Sequence, residues 1–103
     1  MKVIFHVDEL AKWDLTIKNV NNLLAAKPDA TVEVLANAEA VKYFITDEAE
    51  ELASLGATFL VCGNALKAHE ISEEDVPSFL EVVPAGVVEL AKKQDLGYAY
   101  IRP

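Results

Sequence analysis

The sequence predicts a small three-layer α/β domain, with a five-stranded, mainly parallel sheet in the order 2-1-3-4-5. Two observations lead there. Short β-rich apolar runs alternate with segments of helical periodicity along the chain, and the run Thr58–Cys62 is apolar nearly throughout, as in a strand covered on both faces. A β-α-β-α-β-α-β-α-β order calls for parallel strands, right-handed crossovers and helices on both faces.

The first strand is Val3–Val7, ending in Asp8-Glu9. Trp13, Ile17, Val20 and Leu24 then recur at helical spacing, with Asp14 placed to cap the start and Lys27-Pro28 to stop the run. Thr31–Leu35 is the second strand. Asn37 is positioned to cap a helix through Phe44, and Thr46-Asp47-Glu48 starts or restarts one that ends at Leu55-Gly56, as one kinked helix or two.

After the third strand, Thr58–Cys62, Gly63-Asn64 turns the chain into a short helix, Ala65–His69. Ser72-Glu73-Glu74-Asp75 has the spacing of a capping box for a single turn before Pro77. Phe79–Val83 reads as the fourth strand. Pro84 leads into a helix whose buried side is Val87, Val88, Leu90 and Ala91, and Gly97 is placed to end it. Tyr98–Arg102 alternates like a half-exposed last strand.

With 103 residues and 52% apolar content, the chain reads as one domain, 1–103, with a proper core. Its net charge of −8 argues against nucleic acid and anionic membrane surfaces as partners, since the few cations are scattered. A lone cysteine, Cys62, excludes an intrachain disulfide and any cysteine-rich zinc site, and suits a reducing cytoplasm. The apolar start is too short for a signal peptide, and no later run approaches a membrane span. A cytoplasmic location is expected.

In doubly wound sheets the functional crevice lies beyond the carboxyl ends of the strands, where the strand order reverses. The 2-1-3-4-5 order makes strands one and three neighbours there. It gathers His6 and Asp8 from the first strand, Asn37 from the second, Cys62-Gly63-Asn64 from the third and Pro84 from the fourth. Cys62 is the one side chain able to act as a strong nucleophile without a preassembled triad. It ends a buried strand and precedes a helix, where free backbone N–H groups favour a thiolate, and His6 and Lys67 are candidate cations beside it. The competing reading is that Cys62 is a small packed side chain, His6 a hydrogen-bonded rim residue and Asn37 a helix cap.

Asp8-Glu9 has no companion ligands at metal-binding spacing, so no metal is expected. No cofactor is implied either: the first strand lacks a phosphate-cradling loop, and no G-x-G-x-x-G, P-loop, C-x-x-C or G-x-S-x-G occurs. Trp13 is core or interface, and Tyr98 and Tyr100 fit an edge or subunit contact.

Val61-Cys62-Gly63-Asn64-Ala65-Leu66-Lys67-Ala68 resembles the DsrE/DsrF-like family in its small stand-alone branch. Phe5–Glu9, Asn19–Leu24, Val34–Val41, Val83–Leu90 and Gly97–Pro103 resemble it as well, in the same order, so that the resemblance covers essentially the whole chain. It implies a flavodoxin-like sandwich assembling into trimers or hexamers, and relatives that carry sulfur as a persulfide on a cysteine. The matching cysteine is Cys62, with Gly63 and Asn64 as its turn. The resemblance thus implies a persulfide sulfurtransferase or sulfur carrier working between donor and acceptor proteins. The other reading is an oligomeric binding module in which His6, Asn37 and Asn64 hold a small ligand or a partner.

Overall fold

The computed structural model describes residues 1–103. Five strands, β1 (Lys2–Val7), β2 (Thr31–Ala36), β3 (Thr58–Cys62), β4 (Glu81–Val83) and β5 (Ala99–Ile101), form one all-parallel sheet. Three α-helices connect them with shorter 3₁₀ segments: α1 (Trp13–Ala26), α2 (Gly63–Ala68) and α3 (Gly86–Asp95).

The class and layering are those expected, but the strand order is not. It runs β4-β3-β2-β1-β5, so β2, rather than lying outside β1, sits at the centre between β1 and β3. The reason is burial: from Val32 to Ala36 every residue of β2 is buried, including Glu33, which is possible only for a strand flanked on both edges and covered on both faces. The three-residue strands β4 and β5 are largely exposed and take the edges.

This order divides the connections unequally. From β1 to β4 each crossover steps the same way along the sheet, so right-handedness places α1, the 3₁₀ segments and α2 on one face. The return from β4 to β5 runs the opposite way, and α3 alone covers the other face.

The larger core lies under the crowded face. Val3, Phe5, Val7, Val34, Phe59 and Val61 meet Trp13, Val20, Val41, Phe44, Leu52 and Leu66 there. Trp13 is fully buried; its ring stacks on Tyr43 at 4.7 Å between centroids and its indole N–H donates to the Ala40 carbonyl at 2.9 Å. It is therefore core, not interface. Under α3 the core is only Ile4, Leu35, Leu60 and Leu90, with Val83 and Tyr98 at its margin.

Four local expectations change. Residues 38–54 form two 3₁₀ segments, Ala38–Ile45 and Asp47–Ser54, separated at Thr46, which is extended. Asp14 lies in the first turn of α1 and does not cap it; a 3₁₀ turn, Leu10–Lys12, leads in instead. Val87 and Val88 are 68% and 56% exposed, because one helix lying on a sheet buries a single narrow stripe, here Gly86 and Leu90. Phe79 and Leu80 precede β4 rather than belonging to it. The Ser72 hydroxyl caps its single turn by accepting from the Glu74 amide, and Gly97, at φ +90°, closes α3 in a conformation that favours glycine.

Candidate functional site

At the end of β3 the chain passes into α2 on the crowded face; at the end of β4 it passes into α3 on the other. The strand order reverses between β1 and β5, not between β1 and β3, so the crevice rule points to the carboxyl ends of β1 and β5. Cys62 and Pro84, expected at the reversal, lie instead at the carboxyl ends of β3 and β4.

Cys62 is the last residue of β3 and pairs in register with Val83. Alternation along the strand turns it to the same side as Leu60, toward α3, while at the strand's end it also packs into the larger core. It is 7% exposed, and its sulfur accepts a hydrogen bond from the Gly86 amide, 3.3 Å away at the first residue of α3. Gly86 makes the approach possible. A methyl group there would stand 3.1 Å from Leu35 Cδ2, 3.2 Å from Cys62 Cβ and 3.4 Å from Asn37 Cβ, so only a residue without Cβ brings the amide against the sulfur undisturbed.

His6 and Asp8 lie away from the thiol. β2 stands between β1 and β3, so the two strands are two spacings apart, about 10 Å. The cation role for His6 beside Cys62 is thereby corrected. Its ring instead bridges its own neighbours: Nε2 is 2.8 Å from Asn37 Oδ1 and Nδ1 is 2.6 Å from the Tyr100 hydroxyl. The Asn37 oxygen can only accept, so Nε2 faces it as donor while Nδ1 faces the Tyr100 hydroxyl. Asn37 occupies the cap position of the first 3₁₀ segment, yet its side chain makes no cap; the histidine has claimed it. Asp8 takes the Arg102 guanidinium at 2.9 Å and ties the end of the chain to β1.

Gly63, Asn64 and Lys67 lie together in α2, where they line a hollow of about 310 Å³ with Glu73, Val82 and Pro84. Cys62 is not among its walls. Val82 alternates with Val83, so it points to the other side of β4 from the thiol, and the hollow opens on that side. Hence the single expected grouping separates into three: the thiol with Gly86, the His6 bridge, and the α2 hollow.

Gly86, Tyr100 and Glu73 were not among the expected site residues. Gly86 carried one legible signal, a glycine at the first position of a helix just after Pro84-Ala85. Tyr100 and Glu73 carried none, since both depend on which strands and turns become neighbours.

A second charged cluster lies under the other end of α3. Glu33 is 8% exposed; its Oε2 accepts from Lys93 Nζ at 3.0 Å and from the Tyr98 hydroxyl at 3.3 Å, while its Oε1 is buried without a partner. Burial opposes the charge on Lys93, but the Glu33 hydrogen bond and charge outweigh it and hold the ammonium above the usual lysine range. Burial, reinforced by the Glu33 charge, likewise raises the Tyr98 phenol. This cluster pins α3 to β2 and has no opening to a ligand.

An all-parallel α/β sheet with one cysteine at its carboxyl edge defines a class of small single-thiol α/β proteins. Residues 17–103 match the model of the DsrE/DsrF-like family, and the chain belongs to that family. Its fold is similar to that of a protein of unknown function from Methanobacterium thermoautotrophicum, with TM-score 0.90, 32% identity, and coverage of 99% of this chain and 98% of that one. A conserved protein of unknown function from Bacteroides thetaiotaomicron shares the fold at TM-score 0.77 and 12% identity, covering 99% of this chain and 94% of that one. No curated protein matches the chain. No helix is long and apolar enough to cross a membrane.

Proposed function

We propose that this protein is a sulfur carrier that holds a persulfide on Cys62 and passes it on. The family is linked to sulfur relay, and one cysteine is present to do the work. The observation that carries the reading is the Gly86 amide aimed at the Cys62 sulfur at the carboxyl ends of β3 and β4. A backbone N–H held at that distance accommodates a sulfur that gains negative charge, because hydrogen bonds to ionised acceptors are stronger than those to neutral ones.

The chemistry needs no outside oxidant. The Cys62 thiolate attacks the terminal sulfur of a donor persulfide; the new S–S bond forms as the donor's own S–S bond breaks, and the donor leaves as a thiolate. An acceptor thiolate then attacks the terminal sulfur on Cys62 and releases the Cys62 thiolate. With one cysteine in the chain, both exchanges are intermolecular. Since the thiol is nearly covered, each exchange requires the Pro84–Gly86 segment to move aside.

The test is intact mass after incubation with a persulfide donor. The wild type is expected to gain one sulfur atom that an added thiol removes, and Cys62→Ser to gain none. Failure of the wild type to load, under conditions that load a known carrier, overturns the proposal. The burial of Cys62 favours one other reading, in which the thiol only packs and the protein is a binding module; there Cys62→Ser changes stability or partner binding and nothing else.

We further propose a homo-oligomer, a trimer or hexamer, acting in the cytoplasm with separate sulfur donor and acceptor proteins. Support comes from the thinly covered α3 face, where Val87 and Val88 near the start of the helix and Leu96 at its end stand exposed.

A further inference from the structure

We infer that the hollow beside β4 is a binding site for a small zwitterion of the α-amino-acid type. Its walls carry two opposite charges, Lys67 and Glu73, and neither side chain makes an ion pair or a hydrogen bond within the protein. Asp8 and Glu33, by contrast, are paired, with Arg102 and Lys93. The Asn64 side-chain amide, on the same wall, is equally unengaged.

Two uncompensated charges of opposite sign in one concavity are complementary to a ligand bearing both. The Lys67 ammonium, with the Asn64 amide as a further donor, suits a carboxylate; the Glu73 carboxylate suits an ammonium. A dianion such as phosphate would meet Glu73 as a repelling neighbour. Val82 and Pro84 form an apolar wall for an aliphatic stem. At about 310 Å³ the hollow lies at the small end of ligand sites, which fits an amino acid better than a nucleotide or an extended cofactor. The site is independent of the sulfur reading, because Cys62 is not among the residues that line the hollow.

The experiment is an NMR titration of the ¹⁵N-labelled full chain with L-valine, L-valinamide and N-acetyl-L-valine. L-valine is expected to shift the amides of Gly63, Asn64, Lys67, Glu73 and Val82 saturably. Valinamide lacks the carboxylate and the acetyl derivative lacks the ammonium, so each is expected to bind about tenfold more weakly, the loss of one charge-assisted contact. Lys67→Met and Glu73→Gln, both at exposed positions that spare the core, are expected to weaken L-valine binding to a similar degree. Cys62→Ser is expected to leave it unchanged, which separates this site from the thiol. Equal shifts with all three compounds, or no saturable shift with L-valine, overturn the inference.

Discussion

The amide of Gly86 and the sulfur of Cys62 stand 3.3 Å apart although 24 residues separate them in the chain. They meet because β3 and β4 are neighbours whose connections leave on opposite faces, which folds the start of α3 back over the end of β3. Gly86→Ala places a methyl at 3.1–3.2 Å from Leu35 and Cys62, and is expected to cost about 1–3 kcal/mol in urea unfolding. Alkylation of the native thiol should become faster as the start of α3 is pushed outward. A variant as stable and as slowly alkylated as wild type would show that the approach is not tight.

Trp13 is expected to be the most sensitive aromatic position. Trp13→Phe keeps a ring between Tyr43 and Phe44 but leaves the Ala40 carbonyl without its donor. The expected loss is about 1–3 kcal/mol, read from the denaturation midpoint. Trp13→Ala should cost more, about 3–5 kcal/mol, because a cavity opens beneath the 3₁₀ segments.

The Glu33 cluster predicts a stability loss at alkaline pH. Lys93 and Tyr98 are both raised in the folded state, so each favours folding while protonated. Their contribution is complete below the ordinary tyrosine and lysine values of 10.0 and 10.5 and is lost as the pH rises through the higher folded values. The unfolding temperature should therefore fall more steeply above about pH 10 in wild type than global charge alone dictates. In Glu33→Gln this added alkaline slope should be smaller, against a lower stability at neutral pH; an unchanged slope would remove the cluster from the account.

Oligomerisation is expected to depend on α3. Light scattering of the wild type should exceed the chain mass of 11.2 kDa, and the double variant Val87→Lys with Val88→Lys should return to it without loss of unfolding temperature, since both side chains are exposed in the single chain. Wild type at the chain mass at all concentrations would refute the assembly.

Most elements were readable from the chain because their causes are local. The spacing of Trp13, Ile17, Val20 and Leu24 marks α1, the unbroken run Thr58–Cys62 marks a covered strand, and Gly97 ends α3. Residues 38–54 misled because apolar spacing of three to four residues suits 3₁₀ turns as well as an α-helix. The His6 bridge was half legible: both His6 and Asn37 stood out as polar residues at strand ends, but their partnership required β1 and β2 to be adjacent in register, and Tyr100 required β5 to flank β1 on the other side.

An alternating α/β chain with parallel strands and a single thiol ending a buried strand is written into the order of residues, since periodicity, turn residues and composition act over a few positions. Strand order is not, and with it goes the company each polar residue keeps. Pairing is a competition among strands of similar apolar character, settled in the folded molecule by which of them is buried on both faces. β2, with Glu33 neutralised by Lys93 from the distant α3, won the centre. That outcome separated His6 from Cys62, set Gly86 against the sulfur and left Lys67 and Glu73 around a hollow of their own.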